Sequence, residues 1–430
     1  MQRPIRIAVI AASVVSGTAA AQPMQHDHEH MDHEHMDMHE HAAMATPLGI
    51  ADTRDASGTS WQPDSTPMFM WHWMTGGWSL ALHENLFAGY AAKSSDRGDD
   101  KVTSINWVMA MARHAVGRGD IQLRTMLSLE PLTVGDEGYP LLLQTGEGLV
   151  DRQHAHDLFM ELAARFRQPI GDSVGVELYV APSGEPAIGP AAFPHRFTSM
   201  ANPLAPLSHH WQDSTHISFG VVTAGVFTER WKLEGSWFNG REPDDKRYDL
   251  DLRTPDSFAA RLTFNPTADL SAQASWARLD SPEEPEPDIS VQRVTASVAW
   301  NRRTGDRDLA LLGVIGRNAP SMGAATTAGL AEGAYTLGDH TVLARGELLE
   351  KTGGELALPP GMADRAFGMA SLTAGYVYDV TRLGQVVPGI GAVVTLDIIS
   401  SGLEPFYGTR TPWGGMVFVR LRPPEMAHRM

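Results

Sequence analysis

Histidine and methionine alternate with acidic residues in one short tract, which runs from residue 24 to residue 44. Imidazole nitrogen binds copper, zinc and nickel, and thioether sulfur suits Cu(I). Because little in the tract except methionine is apolar, it cannot bury a core, and we expect it to be disordered. The tract therefore predicts metal capture, against the alternative of a solvated linker. Its candidate ligands are His26, His28, His30, His33, His35, His39, His41, Met31, Met36 and Met38.

A second set of soft ligands lies in segment 67–74, which reads PMFMWHWM. Alternate side chains of a strand point to opposite faces, so the soft ligands would separate from the aromatic rings. The face with the soft ligands would carry Met68, Met70, His72 and Met74. Neighbours on one face lie about 7 Å apart, so two of them and a partner from another strand could hold one Cu(I). His83 could complete the set; methionines that only fill space are the alternative.

Four further histidines belong to the long connection 182–215, which is rich in proline and glycine, and to its end: His195, His209, His210 and His216. Connections of this length are usually functional or disordered. If this one folds inward, His195, His216 and one of the adjacent pair could form a three-imidazole metal site. The alternative is a polar loop that plugs or caps a pore.

Segment 151–167 has an apolar stripe at helical spacing, formed by Leu158, Leu162 and Phe166. With Asp151 as the N-cap, this spacing predicts the one short helix of the chain. The opposite face would carry His154, Asp157, Glu161 and Arg165. This face could bind a cation, but a solvated face with a Glu161–Arg165 pair is the favoured interpretation.

Composition excludes several classes of protein. The chain has no cysteine, which excludes disulfides, thiolate metal sites and lipoprotein attachment. Acidic residues number 51 against 34 lysines and arginines, a net charge of −17 that argues against a nucleic-acid partner. Motifs of nucleophilic hydrolysis, zinc proteolysis and phosphate binding do not occur in the sequence. We therefore expect no enzymatic activity and no organic cofactor.

The first 21 residues have the features of a secretory signal peptide. Arg3 and Arg6 precede a short apolar run over 5–15, and three alanines precede Gln22. The apolar run is too short to span a membrane as a helix. We expect a signal peptide at 1–21, a disordered tail and linker at 22–60, and a folded region at 61–430.

Alternation of apolar and polar residues is the main pattern after residue 61, and a period of two predicts β-strands. A barrel of one bacterial chain has an even number of strands, so we predict about 14, with about 12 or 16 as alternatives. Fifteen segments show the pattern: 78–91, 102–115, 121–130, 174–181, 216–227, 231–238, 257–264, 270–276, 291–300, 308–318, 325–337, 340–352, 367–380, 386–399 and 413–423.

The two faces of these strands predict a closed antiparallel transmembrane β-barrel. One face is charged even in mid-strand, as at Lys232, Glu234 and Arg261, which suits a wet lumen. The other face is apolar, with aromatic residues near strand ends, which resembles the girdles at membrane interfaces. The girdle candidates are Trp78, Trp107, Trp231, Trp237, Trp276, Trp300, Tyr376 and Tyr378. A soluble all-β protein is the alternative.

Several segments resemble a group of poorly characterised outer-membrane proteins of Gram-negative bacteria. These segments are 58–63 (GTSWQP), 70–72 (MWH), 194–197 (PHRF), 203–216 (PLAPLSHHWQDSTH) and 238–244 (FNGREPD). The resemblance implies an association with copper-handling genes. The leader rich in histidine and methionine is also similar to that of outer-membrane copper-resistance proteins.

These observations predict an outer-membrane barrel that binds a copper ion and contributes to copper tolerance or export. Its partners would be membrane lipid, metal ions and periplasmic copper-handling proteins, with the N-terminal tail in the periplasm. The alternative function is a passive porin, or a structural barrel of the envelope, with an incidental histidine-rich tail.

Overall fold

The computed structural model describes residues 47–146, 148–282 and 288–426 of the chain. Most of them belong to antiparallel strands. The strands are β1 (Trp71–Thr75), β2 (Trp78–Ser94), β3 (Asp100–Val116), β4 (Gly119–Leu127), β5 (Tyr139–Gly146), β6 (Leu149–Gln153), β7 (Phe159–Pro169), β8 (Gly175–Gly184), β9 (Ser218–Phe227), β10 (Trp231–Asn239), β11 (Ser257–Thr267), β12 (Leu270–Asp280), β13 (Ser290–Thr304), β14 (Arg307–Pro320), β15 (Thr326–Leu337), β16 (His340–Thr352), β17 (Ala366–Asp379), β18 (Val387–Ile399) and β19 (Trp413–Arg422).

Helices are short in the described ranges. They are α1 (Glu130–Thr133), α2 (His209–Gln212) and α3 (Glu404–Tyr407), with 3₁₀ turns at Pro47–Gly49, Asp52–Arg54, Ser214–His216, Pro360–Met362 and Ser401–Leu403. Within these ranges, no helix has the length and apolar character needed to cross a membrane.

Sixteen strands, β2 to β4 and β7 to β19, pair in one continuous antiparallel sheet that closes on itself. Consecutive strands pair along the chain, and the last strand, β19, pairs with β2 in a register that places Phe418 opposite Gly89. Closure leaves every wall strand with two neighbours, which is what a β-structure in lipid requires. The predicted closed barrel is confirmed, with 16 strands where we predicted about 14 and allowed 16.

Strand β1 lies outside this count and extends the last strand. It pairs with the first residues of β2, Trp71 opposite Leu82, whereas β19 pairs with β2 from Leu86 onward. An isolated bridge joins Phe69 to Glu425. Strands β1 and β19 thus pair with successive parts of the same edge of β2.

The two faces of the wall differ as the alternation predicted. On β10, Lys232 and Glu234 point inward and are buried, whereas Leu233 points outward and is exposed. Large apolar side chains are exposed along the outer face of the other strands as well; among them are Val298, Ile315, Val342, Leu372, Val394 and Val417. An apolar face that is fully exposed around a closed sheet suits lipid and not water.

Aromatic residues are exposed on the same outer face. They include Trp231, Trp237, Trp276, Tyr376 and Tyr378 from the predicted girdles, together with Phe258 and Trp413. Trp107 is a correction, because it lies on the inner face of β3 and is buried. Ile105 and Met109 share that face, so the period of two is intact and only the side of Trp107 was predicted wrongly.

The two ends of the barrel differ in their connections. At one end the links are short, such as 117–118, 228–230, 305–306 and 338–339. Gly117, Gly305 and Gly338 adopt positive φ in these links, which tight hairpin turns require. At the other end the connections are long, including 128–158, 185–217, 240–256 and 353–365. We refer to them as the short-turn end and the long-connection end.

Three insertions fill much of the lumen, and together we call them the plug. They are the N-terminal segment 47–70, the β5–β6 hairpin and the β8–β9 connection 185–217. Residues 182–208 are almost all buried. The plugging alternative, which the sequence left open for 182–215, is therefore what the structure shows. Residues 47–60 were predicted as part of a disordered linker, but they lie buried in the lumen.

The predicted helix over 151–167 is wrong. Residues 149–153 form β6 and residues 159–169 form wall strand β7. An i, i+4 stripe contains residues an even number apart, so the same residues also share one face of a strand. Hydrogen bonding to β4 and β8 decides between the two structures, because tertiary pairing overrides local propensity.

Candidate functional site

Of the four soft ligands predicted in segment 67–74, three face the lumen and one is exposed at the surface. Met68, Met70 and His72 face into the barrel at the short-turn end. His72 is held there by Ser79, since its Nε2 lies 2.8 Å from the Ser79 hydroxyl oxygen. Met74 is a correction to the predicted set, because its side chain is 43% exposed and lies outside the cavity that the other three line.

These residues line a cavity of about 100 Å³ between the plug and strands β2, β3 and β4. Thioether sulfur and imidazole nitrogen dominate its potential ligands. The methionines are Met68, Met70, Met109, Met111, Met200 and Met426, and the histidines are His72, His83 and His195. We call this cavity the methionine pocket. It collects side chains from the segment before β1, from wall strands β2, β3 and β4, from the β8–β9 connection and from the residues after β19.

His83 and His195 meet at the inner end of the methionine pocket. Their ring centroids are 6.2 Å apart, and both rings pack against Trp107 at 4.7 Å and 5.0 Å. Nε2 of His195 lies 3.3 Å from the sulfur of Met126. His83 is buried on the inner face of β2, as its alternation with the leucines predicted. The two imidazole rings thus pack against the indole ring of Trp107, and the Met126 thioether contacts one of them.

The charged side chains that border the pocket are compensated. Arg113 pairs with Asp52, and Arg124 pairs with Glu161 at 3.2 Å. Burial raises the pKa of Asp52 to about 6, although the neighbouring guanidinium group of Arg113 opposes the rise. Nine of the side chains that line the pocket offer neutral sulfur or nitrogen atoms, beside the oxygen atoms of Asp52, Asp55, Gln62 and Gln122. Such a set favours a soft monovalent cation over Mg²⁺ or Ca²⁺, which need several oxygen ligands.

Sequence reasoning missed four of the methionines of the pocket. Met109 and Met111 alternate along the lumenal face of β3, and the same period of two that placed His83 could have placed them. Met200 and Met426 carry no such signal, because they reach the pocket from a long connection and from beyond the last strand.

Three of the remaining histidines form a second cluster, deeper in the plug. The ring of His209 lies 5.2 Å from the rings of both His210 and His216, and His156 lies 5.3 Å from His216. His195 does not join this cluster, which corrects the predicted three-imidazole set. The reason is topological: residue 195 lies at the wall beside β2 and β4, whereas 209–216 pack against β13 and β14.

Close backbone packing positions this second cluster. The helical turn α2 presses on β14 at Gly316, where a Cβ atom would lie 2.2 Å from the carbonyl oxygen of Trp211. The indole N–H of Trp211 donates to Thr326 Oγ1 at 2.9 Å. His209 Nδ1 lies 2.9 Å from Asp213, whose second carboxylate oxygen pairs with Arg196 at 2.6 Å.

Burial sets the protonation of the cluster. It lowers the pKa of His209 despite the opposing charge of Asp213, and it lowers the pKa of His210 and His216 well below the usual range. His156 behaves differently: burial alone would lower its pKa, but Glu130, 2.9 Å from its Nδ1, raises it. The three neighbouring imidazoles are therefore neutral bases with nitrogen lone pairs.

The predicted cation face of 151–167 is not assembled. Glu161 pairs with Arg124, Asp157 lies 3.5 Å from Arg247, and Nδ1 of His154 lies 3.1 Å from the carbonyl oxygen of Ala155. Across the described ranges, the one group of three His, Asp or Glu side chains with ligand atoms within 4.8 Å of one another is Asp244, Asp249 and Asp251. This acidic group lies in an exposed connection, and nothing beyond its charge points to a ligand.

A wide cavity of about 590 Å³ opens at the long-connection end. His210, Glu242 and Arg293 lie at its floor, and the β5–β6 hairpin borders it. We call it the vestibule. The candidate ligands of the tract at 24–44 lie outside the described residues.

Comparison with known proteins finds likeness at the level of structure alone. No family model matches the sequence. No curated protein matches it either. A loop-deleted OmpT of Vibrio cholerae superposes with a TM-score of 0.48 at 9% identity, over 80% of this chain and 99% of the other. An anion-selective porin of Comamonas acidovorans gives 0.48 at 8% identity, over 80% and 99%. OccK7 of Pseudomonas aeruginosa gives 0.41 at 11% identity, over 81% and 100%. The barrel assignment itself rests on the strand pairing of this chain.

Proposed function

We propose that the protein is an outer-membrane β-barrel that binds soft metal ions in its lumen, Cu(I) above all, and contributes to copper tolerance or export. One observation carries the proposal: six methionines and three histidines from distant parts of the chain line the methionine pocket. Methionine in a core is usually packing. Met109 also packs in an apolar cluster with Trp107 and Met126. What points beyond packing is that the methionines share an open cavity with three imidazoles, since a cavity lined by both is suited to a soft metal ion.

The location follows from physical arguments on the wall. A closed sheet with an exposed apolar face belongs in a membrane, and single-chain barrels of this kind are outer-membrane proteins. In such barrels the short turns face the periplasm. The methionine pocket would then open toward the periplasm, on the side where we expect the tract at 24–44. The tract would collect metal ions in the periplasm, and periplasmic copper-handling proteins would be its partners.

The plug argues against the alternative of a passive porin. A general porin leaves an aqueous channel through its barrel. In this protein the N-terminal segment and the β8–β9 connection cross the lumen and are tied to the wall by buried ion pairs, such as Arg196–Glu332 at 2.9 Å. Planar-bilayer conductance distinguishes the two functions, because a porin would give large steps that do not respond to metal.

The decisive experiment is titration of Cu(I) into purified protein against a competing chelator. We expect one tight site that survives deletion of residues 22–45 and prefers Cu(I) over Zn²⁺, since thioethers discriminate by softness. Deletion of 22–45 should remove the weaker sites, whose imidazoles must be deprotonated to bind.

The matched variants replace methionine with leucine, which nearly conserves volume and should cost under about 1.5 kcal/mol of folding free energy per site. Replacing Met68, Met70, Met109 and Met111 together should weaken the tight site by at least about tenfold, equivalent to about 1.4 kcal/mol. Met74→Leu is the control, because Met74 lies outside the pocket. Equal Cu(I) binding by the quadruple variant and the control would show that these methionines only fill space, and it would refute the proposal.

A further inference from the structure

The methionine pocket and the vestibule lie toward opposite ends of the lumen, and the plug separates them. A small cavity of about 10 Å³ is lined by Met126, Met160, His195 and His216, together with Glu161 and Glu185. His195 also lines the methionine pocket, and His216 belongs to the second imidazole cluster. This middle cavity therefore connects the two sets of soft ligands.

The spacing along this line is short on each side of the middle cavity, and His216, Met126 and His195 all line that cavity. His210 lines the vestibule, and its ring lies 5.2 Å from that of His209. The ring of His209 lies 5.2 Å from that of His216, which lines the middle cavity. On the far side of that cavity, Met126 sulfur lies 3.3 Å from His195 Nε2, and the ring of His195 lies 6.2 Å from that of His83.

Two of these imidazoles have buried nitrogen atoms without a hydrogen-bond partner. Among the described side chains, Nε2 of His210 and Nε2 of His216 are both in this state. A buried polar atom left unpaired costs about 1–3 kcal/mol, so such atoms need an explanation. An imidazole nitrogen that has no hydrogen-bond partner can present a lone pair to a metal ion.

We propose that these ligands form a relay along which soft monovalent cations pass between the vestibule and the methionine pocket. The relay consists of His210, His209, His216, Met126, His195 and His83. The inference rests on the proposed function and adds a route through the plug to it. The ion moves by exchange of one neutral ligand for the next, with no change of oxidation state.

Ligand exchange also explains how a plugged barrel could conduct selectively. Imidazole and thioether donors replace the water that Cu(I) loses, whereas Na⁺ prefers oxygen ligands and would gain little from them. A row of neighbouring sites allows an ion to leave each one, which conduction through multiple sites requires. The relay would thus pass Cu(I) and exclude hard cations of the same charge.

The test uses the full chain in liposomes that enclose a chromogenic Cu(I) chelator, with Cu(I) supplied outside under reducing conditions. His216 is the residue to change, because it lies in the relay but does not line the methionine pocket. His216→Leu removes the ligand, and His216→Met retains a soft ligand of nearly the same volume. We expect His216→Leu to slow Cu(I) entry by at least about tenfold and His216→Met to stay within about threefold of the unaltered protein.

Two readouts separate this inference from the proposed function. Tight Cu(I) binding should be the same in all three proteins, and Na⁺ entry should stay at the level of empty liposomes. Tight binding with no Cu(I) entry, or with equal entry for His216→Leu, would refute the relay and leave the pocket intact. Rapid Na⁺ entry would show an open pore and also refute the relay. Loss of tight binding in the unaltered protein would refute the proposed function itself.

A second pair of variants covers the case in which His216→Leu does not fold. If His216→Leu does not show the gel mobility of a folded barrel, His210→Leu and His210→Met take its place at the vestibule end. The same contrast is expected, since His210 and His216 both contact His209 within the relay. Equal entry by the His210 pair would refute the relay in the same way.

Discussion

Asp55 shows how a single residue holds the N-terminal segment in the lumen. Its carboxylate pairs with Arg165 and Arg167 of wall strand β7. Burial alone would raise the pKa of Asp55, but the two guanidinium charges hold it well below the usual range. The residue is therefore a fixed negative charge between two fixed positive charges.

We expect Asp55→Asn to destabilise the folded barrel by about 3 kcal/mol, because buried Arg165 loses its close partner. Arg165 keeps only Glu177 at 3.8 Å, whereas Arg167 retains Asp120. The temperature at which the folded gel band disappears would measure the loss. Asp172→Asn is the control, since Asp172 forms an exposed pair with Arg118 that should contribute little. Equal temperatures for the two variants would contradict this account of Asp55.

The pKa of Glu185, at the start of the β8–β9 connection, is shifted in the opposite direction to that of Asp55. Burial raises the pKa of Glu185 from 4.5 to about 8, although Arg261 opposes the rise. Between these two values the folded state keeps a proton that the unfolded state has released. Stability should therefore fall as the pH rises from about 4.5 to about 8, relative to Glu185→Gln. Melting of both proteins across this range checks the prediction; parallel curves would contradict it.

At the scale of elements, alternation predicted the wall well. Segments 257–264, 270–276 and 291–300 all lie in strands that face lumen and lipid as expected. Fifteen candidate segments correspond to fifteen of the sixteen wall strands. The missing strand is β7, because its residues were taken for a helix. That one misassignment explains why an odd number of candidates was found and why our predicted count was low.

The candidate site was only partly predictable, for a physical reason. Met68, Met70, His72 and His83 follow from local alternation, which depends on neighbours in the sequence. His195 and Met426 reach the same pocket through long-range packing, and no local pattern encodes that. The interior position of 47–60 was missed likewise, because its contacts are with wall residues far along the chain, such as Lys232 and Arg261.

The N-terminal segment gives a prediction at the same scale. Deleting residues 47–66 should open a permeation path and raise single-channel conductance, because Arg54, Asp55 and Trp61 leave the lumen together. Deleting residues 22–45 is the matched control and should leave the conductance unchanged. If the first deletion conducts no better than the second, the N-terminal segment is not what obstructs the lumen.

The whole molecule should behave as a membrane barrel despite its acidic composition. Its polar groups point into the lumen and its outer face is apolar, so the folded protein needs a lipid-like solvent. We expect detergent-dependent extraction, and a folded gel band that changes mobility on heating because the closed sheet resists unfolding by detergent. A mature chain that stays monodisperse without detergent would contradict the outward apolar face.

The shared edge of β2 has a consequence for biogenesis. Phe69 meets Glu425, and the amide of Met426 donates to the carbonyl oxygen of Met68 at 2.9 Å. The cylinder therefore cannot seal until residues 413–426 meet β2 and the segment before β1, and such distant pairings form slowly. Since sealing also brings Met426 next to Met68 and Met70, a chain arrested before closure has an incomplete pocket. Closure of the barrel and assembly of the methionine pocket are therefore one event.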